Sequence, residues 1–256
     1  MELIDRKRYP LENAVRRAEI IATARRQLAQ VGAAAFPGFI APEALKQMQL
    51  EAMRGLPHAY RRDQQLGFNA KGRLAEQPSD ALSGWRSPYK MWGLGADVLP
   101  ADGAVHGIYG APALIDLVRD ILRLEGLYRV ADPLVSVNVT YMSEGDQHGW
   151  HFDDNDFVVS LLLQMPERGG AFEFVPRFTS ASTPEALEVL RGSSPKTRTL
   201  VVEPGTLLLF QGREALHRVS PVEGQSLRIM ALLSYHTEPG FVFPRSVRLN
   251  SLGRDA

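Results

Sequence analysis

From Pro133 onward the chain carries closely spaced strand signals, and these constrain its fold more than any other feature. Val135, Val137, Val139 and Tyr141 alternate with Ser136, Asn138 and Thr140, the period-two pattern of a strand with two unlike faces. Residues 157–165 form an almost continuous apolar run, as expected of a strand buried on both faces. Further strand candidates follow at 171–175, 200–202, 207–210 and 227–235, each bounded by Gly, Pro or Glu-Gly turn signals. Short strands at such spacing predict a sandwich or barrel. One helical insertion is predicted at 183–192, where Thr183-Pro184-Glu185 reads as an N-cap, a first-turn proline and an acidic residue, and Gly192 as the stop.

The N-terminal half has a different texture. Ile21, Ala24, Leu28 and Val31 recur at helical spacing, with Gly32 as a stop, and Leu45, Met48, Ala52 and Leu56 follow Pro42 in the same rhythm. A third helix is predicted over 113–124, with Leu114, Leu117, Ile121 and Leu124 on one stripe. Between them, 57–110 is rich in Gly, Pro and Arg with scattered aromatics, and reads as irregular, lid-like structure over a site. A single domain over 1–256 is expected. Residues 1–132 supply helices and the lid-like region, 133–236 the β core, and 237–256 a C-terminal tail.

Composition narrows the partners. Twenty-nine basic and 29 acidic residues balance, so no overall field draws the chain to nucleic acid or an anionic membrane. With no cysteine, thiolate ligands and iron–sulfur clusters are excluded, and His, Asp and Glu remain as metal ligands. The acidic start, Met-Glu-Leu-Ile-Asp-Arg, lacks the basic and apolar regions of a signal peptide, so a cytoplasmic location is expected. A small-molecule substrate is the expected partner, and oligomeric state is not legible.

His151 and Asp153, in Trp150-His-Phe-Asp-Asp154, stand at i and i+2 and point to one face of an extended segment. His217, in Leu216-His-Arg-Val219, can join them from a distant strand. Two imidazoles and a carboxylate occupy one face of an octahedral metal and leave the other open, the ligand set of non-heme Fe(II) oxygenases, although the same groups can hold zinc. A lone histidine is usually a satisfied surface or core residue, and His58, His106 and His236 are read so. Arg228 is a charge among Leu227, Ile229, Met230 and Ala231, where burial without an anion would be costly.

The order of features is more specific than HxD. Tyr141 and Gly145 precede His151 and Asp153; Gly169-Gly170, Pro204-Gly205 and His217-Arg-Val219 follow, and Arg228 lies eleven residues beyond His217. Over about 133–235 this resembles the Fe(II)/2-oxoglutarate-dependent dioxygenases. The resemblance implies a mainly β fold with flanking helices and a double-stranded β-helix (jelly-roll, cupin-like) core. It also implies Fe(II) on His151, Asp153 and His217, 2-oxoglutarate with its far carboxylate on Arg228, and O₂. Tyr141 is a second candidate for a cosubstrate hydrogen bond.

More narrowly, the stretch from Trp150 to Gln164, with Gly169-Gly-Ala-Phe-Glu-Phe-Val-Pro176, resembles the bacterial family of radical halogenases and hydroxylases of free amino acids. Halogenases there carry glycine in place of the carboxylate ligand, so Asp153 implies hydroxylation of an unactivated C–H bond. The implied substrate is a small polar metabolite, most simply a free amino acid, with lysine or another basic amino acid favoured. His148 and Asp154 are candidate substrate contacts in a segment that also holds Glu144, Asp146 and Asp156. Arg61, Arg62, Arg73, Arg86 and Lys90 are candidate partners for a substrate carboxylate, and Trp150 reads as core. The halogenase-like members have a tryptophan-containing lid, and this chain has no tryptophan after Tyr235. The alternatives are a catalytically silent metabolite-binding jelly roll, a zinc hydrolase that leaves Arg228 unused, and a carrier-tethered or non-amino-acid substrate.

Overall fold

The computed structural model describes residues 1–68, 79–178 and 182–256; Arg73 lies outside the described residues. Eleven strands form one curled antiparallel sheet. They are β1 (Ala33–Phe36), β2 (Tyr60–Gly67), β3 (Arg86–Gly95), β4 (Val137–Met142), β5 (Gln147–His151), β6 (Val158–Gln164), β7 (Phe172–Val175), β8 (Arg198–Leu200), β9 (Leu207–Phe210), β10 (Leu216–Val219) and β11 (Arg228–Leu233). Their spatial order is β1-β9-β6-β11-β4-β3-β5-β10-β7-β8, with β2 paired to β3. β3 joins the two halves: residues 92–95 pair with β4, while Tyr89 and Lys90 pair with β5. This is the double-stranded β-helix that the strand spacing and the resemblance pointed to.

Alternation divides each strand of the larger half between two environments. Val137, Val139 and Tyr141 of β4, Leu161 and Leu163 of β6, Leu207 and Leu209 of β9, and Ile229 and Ala231 of β11 face the main core. The helices covering them are α1 (Ala14–Val31), α2 (Pro42–Gly55), α3 (Ala104–Tyr109) and α4 (Pro112–Leu122), which contribute Ile21, Leu28, Met48, Ile108, Leu114 and Leu117. Each fully buried leucine or isoleucine here contributes about 1.5–3 kcal/mol relative to exposure. The opposite face, with Asn138, Thr140 and Met142 of β4 and Ser160 of β6, lines a cavity inside the curl.

Local signals set the helix ends. Asn13 accepts a hydrogen bond from the Arg16 amide to cap α1, and Gly32 ends the helix at φ 73°. The predicted insertion is α5 (Thr183–Leu190), but its cap is Ser182, which forms a capping box with Glu185.

Two expectations are corrected. The described residues of 57–110 are not irregular: β2 and β3 pair through eight residues, from Tyr60 opposite Gly93 to Gly67 opposite Arg86. Only Arg62 of β2 is buried, so no apolar alternation could announce the strand. The tail contains α6 (Arg245–Leu252), which buries Leu252 against Leu134 and Val135 and is tied to the core by Arg248, whose Nε donates to the buried Asp132 at 2.7 Å. Among the described residues no helix is long and apolar enough to cross a membrane.

Candidate active site

β5 and β10 pair antiparallel with His151 directly opposite His217, so both imidazoles leave the sheet on one side. Asp153 lies two residues beyond His151. Its Oδ1 is 3.6 Å from His151 Nε2 and its Oδ2 is 3.4 Å from His217 Nε2. One donor atom from each of the three groups falls within 4.8 Å of the others. His151 Nδ1 is 2.8 Å from the Gly149 carbonyl and His217 Nδ1 is 2.9 Å from the Ala215 carbonyl. A carbonyl only accepts, so each Nδ1 carries the proton and each Nε2 presents its lone pair to the shared centre.

Electrostatics agree with a metal site. Burial and the neighbouring His217 hold the His151 imidazole below its usual pKa. Burial alone would raise the Asp153 carboxyl, but His217 and His151 beside it hold it well below the carboxylate range. Neutral imidazole and ionised carboxylate are the states that bind a metal. The donor set, fixed tautomers and clustering fit an octahedral Fe(II) with one open face.

The triad opens on a cavity of about 310 Å³, within the small-molecule range. Its apolar walls include Met91, Met142, Phe172, Phe210 and Val219. Arg228, opposite Met142 at the start of β11, is 4% exposed and lines this cavity. Its Nε donates to the Gly170 carbonyl at 3.0 Å, and burial pushes its pKa down to about 10. Among the described residues no carboxylate pairs with it.

Arg62 is a second buried guanidinium on the same cavity, 2% exposed. It donates through one terminal nitrogen to the Tyr89 hydroxyl and lies 4.9 Å over that ring, while its Nε and other terminal nitrogen have no partner among the described residues. Burial holds its pKa down, partly offset by Tyr89 and Tyr60. Tyr89 packs 4.5 Å from His148, and His148 stacks 3.6 Å from His151 at 17°. A row of side chains thus runs from Arg62 to the triad.

The residues singled out from the sequence separate clearly. His151, Asp153 and His217 converge, and Arg228 and His148 share their cavity. His148 faces inward beside His151, three positions before it, because β5 bulges: the two steps of β10 from His217 to Val219 match three steps of β5, from His151 to His148. The Tyr141 expectation is corrected. Its position on β4 turns it away from the cavity, and its hydroxyl donates at 2.6 Å to the Ala52 carbonyl in α2. The polar residues alternating with it, Asn138 and Thr140, face the cavity instead.

Asp154, Glu144 and Asp156 are exposed, and the Asp154 carbonyl accepts a hydrogen bond from Arg213. Asp146 is buried but held by Arg61 at 2.7 and 2.6 Å. Among the described residues, Asp153 is the cavity's one carboxylate. Lys90 pairs with Asp63 at 3.4 Å, and Arg86 caps nearby carbonyls. Trp150 is core, packed with Phe152 and Phe178. The sequence reading missed Tyr89, Asn138, Ser160 and the tail residues Phe243 and Ser251, which also line the cavity. The polar side of the β4 alternation was the available signal for Asn138.

Comparison with known proteins fits this geometry. A family model described as Halogenase D matches residues 16–242. The chain belongs to the Halogenase D family. No curated protein sequence matches it. Among solved structures, a 2OG-Fe(II) oxygenase family oxidoreductase from Burkholderia pseudomallei is 16% identical, with 86% of this chain and 92% of that one covered at a TM-score of 0.55. A Pseudomonas putida prolyl-4-hydroxylase is 15% identical, with 83% and 97% covered at 0.52. HygX from Streptomyces hygroscopicus, solved with nickel, 2-oxoglutarate and hygromycin B, is 13% identical, with 83% and 86% covered at 0.55. These likenesses establish the oxygenase fold. The family match, the shared oxygenase fold and the cluster of His151, Asp153 and His217 agree with one another.

Proposed function

We propose that this Halogenase D family member hydroxylates an aliphatic C–H bond of a small metabolite that carries a carboxylate, most simply a free amino acid. The observation that carries the reading is the pair of buried guanidinium groups, Arg62 and Arg228, on the cavity that holds the triad. Each has donors that no carboxylate of the described residues satisfies, and a buried cation without an anion is costly. Two cations in one cavity suit two anionic ligands. Arg228, beside Gly170, takes the far carboxylate of 2-oxoglutarate, which a planar guanidinium holds through paired hydrogen bonds. Arg62 takes the carboxylate of the substrate.

His151, Asp153 and His217 would hold iron(II), which when bound couples oxidative decarboxylation of 2-oxoglutarate to oxidation of a C–H bond. The protein's share is orientation and exclusion of water. His148 and Tyr89 wall the space between Arg62 and His151, fixing the distance from a carboxylate on Arg62 to the oxidised carbon. Met91, Met142 and Phe172 offer an apolar surface to the substrate's body. Hydroxylation is favoured over halogenation because Asp153 occupies the ligand position that is glycine in the halogenases.

The test is a substrate panel with Fe(II), 2-oxoglutarate and O₂, scored by succinate and by oxygenated product, with each acid run beside its amide. Substrate-dependent succinate is expected from acids and not from their amides, and Arg62→Leu should raise KM with a smaller effect on kcat. Equal turnover of acid and amide would overturn the substrate assignment, and no substrate-dependent succinate from any compound would overturn the activity.

A further inference from the structure

The connection between β9 and β10, residues 211–215, delivers His217 to the triad, and at its start lies Gly212. The Asp153 amide donates to the Gly212 carbonyl at 3.1 Å. A Cβ added at Gly212 would stand 1.8 Å from Asp153 Oδ2, 2.6 Å from its Cγ and 2.9 Å from its Cβ. Carbon atoms attract best at about 3.5–4.0 Å; turning the carboxylate away would clear its oxygen but not the Asp153 Cβ at 2.9 Å, so aspartate cannot keep this placement beside a side chain at 212. All three nearest atoms belong to Asp153. The backbone here is outside the left-handed region that favours glycine, so conformation does not demand it. The space a side chain would take at position 212 is filled by Asp153.

We propose that Gly212 is a positioning residue for the metal ligand Asp153: the space in front of its Cα is the seat of the carboxylate. The backbone bond from Asp153 to Gly212 and the packing of the carboxylate on that backbone then lock the acidic ligand to the loop that carries His217. Metal affinity therefore depends on positions 153 and 212 as a pair. A side chain at 212 is compatible with a small residue at 153 and incompatible with aspartate in its ligand position. The inference rests on Asp153 being a ligand, as the proposed function requires.

The test is a double-mutant cycle read as Fe(II) affinity, measured anaerobically by competition with a chromophoric chelator, with no turnover involved. Gly212→Ala should weaken Fe(II) binding at least about tenfold, the lower range for losing a group that orients a ligand. In the Asp153→Gly background the same change should alter affinity by less than about threefold, within ordinary non-additivity, because the clashing atoms are gone. A general packing defect would persist in both backgrounds. If Gly212→Ala fails to fold while Asp153→Gly/Gly212→Ala folds, the steric pairing is supported. The proposal is overturned by wild-type affinity in Gly212→Ala, by a further tenfold loss in the double variant, or by a double variant that fails to fold where Asp153→Gly folds. Undiminished affinity in Asp153→Gly alone would instead count against Asp153 as a ligand.

Discussion

Replacing Arg228 with methionine separates a cosubstrate anchor from a structural cation by the sign of two effects. The side chain is 4% exposed and spends its Nε on the Gly170 carbonyl, which leaves the two terminal nitrogens for an anion. Burial brings its pKa down from the usual guanidinium range to about 10, so the empty site disfavours the charge by about 3 kcal/mol at 1.36 kcal/mol per pH unit. A bound carboxylate offsets that cost. Methionine keeps most of the stem's packing and removes the charge, so the ligand-free variant should unfold at the wild-type temperature or above it. Truncating one partner of a buried, hydrogen-bonded charge pair costs about 2–4 kcal/mol of binding, roughly 30- to 1,000-fold in Kd. Anaerobic calorimetry with Fe(II) in place gives the 2-oxoglutarate Kd, and thermal unfolding gives the stability. A Kd within threefold of wild type would refute the anchor role, as would a large loss of stability that accounts for the weaker binding.

Other outcomes follow from the same geometry. Tyr141→Phe removes the bond to Ala52 and should cost about 1 kcal/mol, roughly 2–4 °C in Tm for a chain of this size, while 2-oxoglutarate affinity stays at the wild-type value; weakened cosubstrate binding would restore Tyr141 to the site. Acid stability is set partly by Asp132 and Asp146. Burial would raise both carboxyls, but Arg248 and Arg61, with backbone amides, hold them below the usual value. Because the folded pKa is depressed, their stabilisation is complete above the unfolded value, near pH 4, and is lost as pH falls below it. Urea unfolding followed downward from about pH 6 should show that loss, and Asp132→Asn should flatten the acid limb; an unchanged limb would contradict the assignment. Asp153→Ala should abolish substrate oxidation, measured as product formed per succinate.

How much of this was legible depended on what each signal encodes. His151 and Asp153 were readable because an i, i+2 pair read as extended chain points to one side, although β5 itself ends at His151, and Arg228 because a charge inside an apolar strand needs a reason. Tyr141 was misread because alternation reveals that a strand has two faces without saying which lines the cavity. β4 is buried throughout, and its polar side turned out to be the interior. β2 was invisible because its pairing with β3 leaves every residue but Arg62 exposed or half-buried, so no hydrophobic period exists to detect. Gly212 gave no signal at all. Its role comes from a contact across 59 residues of sequence, and it shows only once Asp153 is in place.

Product analysis in excess chloride tests the central claim most directly, because a carboxylate ligand and a halide compete for the same coordination position. With Fe(II), 2-oxoglutarate, O₂ and an accepted substrate, mass spectrometry should show a gain of one oxygen atom and no chlorine isotope pattern at any chloride concentration. A chlorinated product from the wild-type protein would contradict the reading of Asp153 as the ligand that makes this Halogenase D family member a hydroxylase.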